Sequence, residues 1–155
     1  MIEANDFLTI TSLIPDLKII SRSEYRVMAF SGRYRLLYHE WFETSLDVDD
    51  DVFRSETLEL FKALELERPV YFVVNDKKRK TSISDDINEF LVVNFQPIFS
   101  HPTMKKVALI SNEKLSIQGQ AESTMEEVKN MAPPAVGAEF QFFIDVTQAV
   151  AWLEL

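Results

Sequence analysis

Pro69-Val70-Tyr71-Phe72-Val73-Val74 is followed by Asn75-Asp76 and then by the basic run Lys77-Lys78-Arg79-Lys80. This stretch decides the fold. Its first part is short, almost purely apolar, and rich in β-branched and aromatic residues. A run of that kind reads as a strand covered on both faces, as in the interior of a parallel sheet. Ahead of it, Asp47 to Asp51 is an acidic cluster, and Val52/Phe53, Leu60/Phe61 and Leu64 then recur at helical spacing. Carboxylates at that end cap free N–H groups and oppose the positive pole of the helix dipole. The helix should stop before Pro69. Tyr34 to Phe42 reads as the strand that precedes it.

Beyond the basic run, Ser82 or Ser84 caps a second helix carrying Ile87, Phe90, Leu91, Asn94 and Phe95, which Pro97 should bend or end. Val107 to Ile110 is the next buried strand. A third helix is expected from near Ala121, with Met125 and Val128, to just before Pro133-Pro134. Phe140 to Ile144 is the last strand, and Asp145 or Thr147 starts a closing helix through Trp152 and Leu153. From Tyr34 the order is β-α-β-α-β-α-β-α, which implies a largely parallel sheet with right-handed crossovers. The first 33 residues read differently. Phe7 to Thr11 is expected as a short strand, Pro15-Asp16 as a turn, Leu17 to Ile20 as its hairpin partner, and Tyr25 to Phe30 as a further apolar run before a turn at Ser31-Gly32. The chain is thus expected to be one α/β domain, a core over 34–155 with an N-terminal β extension over 1–33.

The 155 residues suit a single domain of ordinary size. A net charge of −9 argues against nucleic acid and anionic membrane surfaces, since phosphate neutralisation needs a basic face. Cysteine is absent, which removes disulfides, thiolate catalysis and Cys-based metal sites. Neither a signal peptide nor a membrane-spanning run is evident, so a cytoplasmic chain without integral membrane association is expected. With 3 glycines, neither a dinucleotide fingerprint nor a phosphate loop can be assembled. No G-x-S-x-G occurs. The acidic cluster fails as a calcium loop, because counting from Asp47 puts Val52 and Leu58 where Gly and Glu belong. His39 and Glu40, adjacent on one strand, point to opposite faces and cannot cooperate. Asp76 ends a strand, as a receiver phosphoacceptor would, but has no acidic pair to go with it. Neither a metal nor another cofactor is expected.

The C-terminal half resembles the SpoIIAA-like (STAS and SEC14-like) domains of small bacterial proteins. The resemblance lies in F-x-D-x-x-x-A-x-x-W-L over Phe143 to Leu153, in Lys105-Lys106-Val107-Ala108-Leu109-Ile110 as the penultimate strand, and in Glu40-Trp41-Phe42 ahead of an acidic helix. It implies a mixed sheet flanked by helices and a binding function without catalysis. The phosphorylatable serine of the anti-anti-sigma branch sits in Asp-Ser-x-Gly, and neither Ser82 nor Ser84 has that setting.

The candidate site is Lys77, Lys78, Arg79, Lys80, Ser82 and Ser84, for an anion or a protein partner. These residues follow a buried strand and precede a helix N-terminus, the edge where open α/β sheets take ligands. The expected function is regulatory protein binding. The alternatives are carriage of a small apolar ligand, in a pocket lined from Trp41, Phe42, Phe53, Phe61, Phe90, Phe95, Phe99 and Trp152, and a homodimeric interaction module.

Overall fold

The computed structural model describes residues 6–80, 82–111 and 137–155. Six strands form one sheet in sequential order: β1 (Lys18–Arg22), β2 (Arg26–Ser31), β3 (Leu36–Trp41), β4 (Tyr71–Asn75), β5 (Lys106–Ile110) and β6 (Glu139–Phe143). The first three run antiparallel, and β3 to β6 run parallel. The α/β class agrees with the sequence pattern. The expected third helix falls outside the described residues.

β4 is the centre of the sheet. Val73 pairs with Tyr38 on one side and Ala108 on the other, and all three are fully buried. Side chains alternate between faces. Phe72 and Val74 enter the larger core, with Leu37, Trp41, Val107 and Leu109, beneath α2 (Asp50–Glu67) and α3 (Asp85–Phe99). Val73 enters the second core on the other face, with Ala29, Leu36, Tyr38 and Ala108, beneath α1 (Asp6–Leu13) and α4 (Val146–Leu153). Two crossovers of one hand between strands in sequential order must lie on one face, and α2 and α3 do.

The helix ends obey local chemistry. Asp49 caps α2 by accepting from the Val52 N–H, with Asp50 and Asp51 in the first turn. Ser84, not Ser82, caps α3 through the Ile87 N–H. Asp145, not Thr147, caps α4. α2 ends before Pro69 on Arg68, held in the left-handed region at φ 46°, and Arg35 Nη2 donates to the carbonyls of Glu67 and Arg68. A cation on those last carbonyls complements the dipole. Pro97 lies inside α3, which ends two residues later at Phe99.

The N-terminus departs from the expected hairpin. Phe7 to Thr11 is not a strand but part of α1, and β1 pairs with β2 instead. Phe7, Ile10 and Ile14 fall on one helical face, and Ile10 and Ile14 are fully buried in the second core. Thr9, Ile10 and Thr11 are β-branched and favour strand locally, but burial of an amphipathic face outweighs such propensities, which are worth only tenths of a kcal/mol each. The edge strand β1 carries Lys18 and Arg22 at its ends and a register shift between Ile19 and Ser21. Charges and bulges on an edge hinder pairing with another chain.

The central strand dictates a stability test. Phe72→Ala should cost about 3–5 kcal/mol in urea unfolding. Leu66→Ala, at a position 80% exposed on α2, should cost under about 0.5 kcal/mol.

Candidate functional site

The carboxyl ends of β3 and β4 bring polar side chains to both faces of the sheet. Alternation continues past the last pair of β4. Asn75 therefore sits on the α1 face, and Asp76, next in the chain, on the α2/α3 face. Asp76 N–H donates to Ile110 O at 2.7 Å, so the backbone ladder still holds at that level.

On the α2/α3 face a pocket opens between the helices and the sheet, with about 460 Å³ of empty space including its mouth. Trp41, Phe53, Leu60, Phe72, Val74, Leu91, Phe95 and Leu109 line it with Thr57, whose hydroxyl donates to the Phe53 carbonyl, and Asp76 and Arg79 form its charged part. Trp41 and Phe53 stack at 5.0 Å between ring centroids, and the Arg79 guanidinium stands 5.8 Å from the Phe53 centroid. Asp76 and Arg79 are each 5% exposed, with Asp76 Oδ2 at 3.9 Å from Arg79 Nη1. Burial pushes the Asp76 carboxyl up from the usual range, and Arg79 partly offsets this. Of the aromatic residues expected to line a pocket, Trp41, Phe53 and Phe95 do so. Phe42, Phe61, Phe90, Phe99 and Trp152 do not, and Phe72 joins instead.

On the α1 face the same edge holds a hydrogen-bonded cluster. Tyr38 Oη donates to Glu40 Oε1 at 2.6 Å and accepts from Asn75 Nδ2 at 3.0 Å. Asn75 Nδ2 also donates to Asp6 Oδ2 at 2.8 Å, and Asn75 Oδ1 accepts from the Lys77 N–H. Lys77 Nζ lies 3.0 Å from Asp6 Oδ2. Burial, then the Glu40 charge and hydrogen bond, hold the Tyr38 hydroxyl well above its ordinary pKa, so it stays a donor. Burial raises Glu40, against the lowering effect of the Tyr38 bond.

The basic run is therefore divided rather than fanned outward. Lys77 turns to Asp6 on one face, and Arg79 turns into the pocket on the other. The Lys78 carbonyl accepts from Ser45 Oγ, and Lys80 Nζ donates to Val48 O. Ser84 is spent on the cap and Ser82 is exposed. The structure thus brings Lys77 and Arg79 to the strand edge and leaves the two serines out of both clusters. Asp6, Tyr38, Asn75 and the pocket role of Asp76 went unseen in the sequence. The Asn75-Asp76 pair at a strand end was the available signal, whereas Asp6 is 69 residues from its partner.

His39 and Glu40 do face opposite ways. His39 lies on the α2/α3 face, 0% exposed, edge-on to Trp41 at 5.0 Å, and among the described residues neither ring nitrogen has a hydrogen-bond partner. Nearby, Arg26 Nε stands 3.0 Å from Glu56 Oε1, an ion pair too bent to count as a hydrogen bond. Arg26 also donates from Nη1 to Ser21 Oγ. Comparison with family models, with curated proteins and with solved structures found no match.

Burial, reinforced by the Arg26 charge, lowers the His39 pKa to about 3. In the unfolded chain it titrates near ~6.5. Between those values the unfolded state binds a proton that the fold refuses, so stability present above pH ~6.5 is lost as pH falls toward 3. On going from pH 7 to 4.5, His39→Leu should lose about 2 kcal/mol less stability than the original chain in urea titrations. Equal losses would contradict the sealed imidazole.

Proposed function

We propose that this chain is a non-catalytic binding domain of SpoIIAA-like arrangement that takes a small, largely apolar ligand between α2, α3 and the sheet. The pocket carries this reading. Its enclosed free space is only about 30 Å³, so a ligand enters by displacing the side chains that line it, and the composition of the wall is the argument. Its wall is mostly aromatic and aliphatic, and a few convergent polar groups stand at one end, the usual composition of such sites. Asp76 and Arg79 place its polar part at the carboxyl edge of parallel strands, where open α/β sheets take their ligands. Asp76 and Arg79 compensate one another's charge, so the pocket calls for a ligand without strong net charge. The sealed His39 and the firmly protonated Tyr38 are poorly placed for acid–base chemistry, which supports binding over catalysis.

A regulatory protein-binding role is the second reading. It is favoured by the carboxylate-holding cluster on the α1 face, which lies outside the pocket.

Native mass spectrometry of gently purified protein should show a small-molecule adduct. Leu109→Phe, which fills the pocket floor, should reduce its occupancy about tenfold, equivalent to ~1.4 kcal/mol, while leaving the fold intact. An adduct-free spectrum, together with no NMR shift of the Trp41 indole N–H on titration with 1-hexanol, would refute the ligand reading.

A further inference from the structure

The Asn75–Lys77 cluster has the form of a site holding a ligand, and its occupant is a side chain of the same protein. Asp6 Oδ2 receives two donors, Asn75 Nδ2 at 2.8 Å and Lys77 Nζ at 3.0 Å. Asn75 is 1% exposed and does not owe its orientation to Asp6. Its Oδ1 is engaged by the Lys77 N–H, and its second Nδ2 hydrogen by Tyr38 Oη. Tyr38 is in turn fixed by full burial and by Glu40. The side-chain amide is therefore aimed by the sheet and by the turn after β4. Without the Asp6 carboxylate, one buried N–H loses its acceptor and the Lys77 ammonium loses this counter-ion. Leaving a buried donor unsatisfied is costly, so the cradle would take another acceptor in its place.

We propose that Asn75 and Lys77 form a carboxylate-binding site at the carboxyl edge of β4, that Asp6 occupies it as an internal substitute, and that an external carboxylate binds by displacing Asp6 and with it the start of α1. The charges around the cradle select the ligand class. Lys77 and Lys78 are basic, but Glu40 is joined to Asn75 through the Tyr38 hydroxyl. A monoanion therefore suits the site better than a phosphate dianion, which would meet Glu40 at close range. The carboxylate could come from a free metabolite or from an acidic side chain of a partner protein. The site lies on the opposite face of the sheet from the apolar pocket and does not depend on that pocket being filled.

The test compares the full chain with Asp6→Ala and Asp6→Asn, following thermal unfolding against sodium acetate at constant ionic strength set with chloride. A tethered competitor acts at roughly millimolar effective concentration or more, so Asp6→Ala should respond to acetate at about tenfold lower concentration than the original chain. Adding Lys77→Met to Asp6→Ala should abolish the response. Asp6→Asn keeps the size of the side chain, and should give the same gain if Asp6→Ala proves too unstable to measure. In a second arm, the capped tetrapeptide Asn-Asp-Phe-Leu replaces acetate, with Asn-Asn-Phe-Leu as its control. Tighter binding of the Asp peptide than of acetate assigns the site to a protein's acidic side chain, and equal binding assigns it to a free carboxylate. Equal acetate response in the original chain and both variants, or no response to either probe in the variants, overturns the proposal.

Discussion

Parallel pairing of β4 on both sides is the constraint on which the rest of the structure depends. Tyr71 to Asn75 are matched residue for residue with Leu36 to Glu40 and with Lys106 to Ile110. Once that register is set, the two-residue period of the strand settles which side chain serves which face. Phe72 and Val74 build one core and Val73 the other. At the strand's end, the same alternation hands Asn75 to the α1 face and Asp76 to the α2/α3 face. A slip of one residue would exchange both cores and both clusters together, so fold and candidate sites stand or fall on one register.

The two faces of this edge offer different chemistry because their surroundings differ. Under α2 and α3, the aromatic wall leaves Asp76 and Arg79 as the polar part of an apolar space. Buried charges in such a setting must be paired. Under α1, Tyr38, Asn75, Lys77 and Asp6 are joined by hydrogen bonds and an ion pair. There the polar network ties the N-terminal helix to a loop far along the chain. The basic run links the two clusters, since Lys77 serves one and Arg79 the other. Read as a sequence it was one patch of cations, but a turn after a strand sends successive residues in different directions. The Arg79 N–H bond back to the Asp76 carbonyl makes that turn.

Local signals were legible in the sequence. The strands β3 to β6, an acidic cap of α2 within Asp47 to Asp51, the serine cap of α3 at one of two positions, the end of α2 before Pro69 and the opposed directions of His39 and Glu40 all follow from residues near one another. What escaped depends on contacts distant in sequence. α1 is a helix because Ile10 and Ile14 find the second core, although their neighbours favour strand. Asp6 matters only because the fold brings it to Asn75. The pocket gathers Trp41, Phe53, Phe72 and Phe95 from separate elements, which composition does not reveal. The resemblance to SpoIIAA-like domains pointed to a mixed sheet flanked by helices and to binding, and was silent about which edge binds.

The central claim is that the end of β4 is a rigid platform for both clusters, and native-state hydrogen exchange measures this most directly. The amides of Phe72 through Asp76 should exchange only by global unfolding, with the same free energy as urea denaturation of the whole chain. That includes the Asp76 N–H, which is bonded to Ile110 O beyond the last paired residue. Exchange of the Asn75 and Asp76 amides through local opening, at a free energy well below the global value, would contradict the account. The edge would then fray, and neither the pocket nor the carboxylate cradle would be held in place by the sheet.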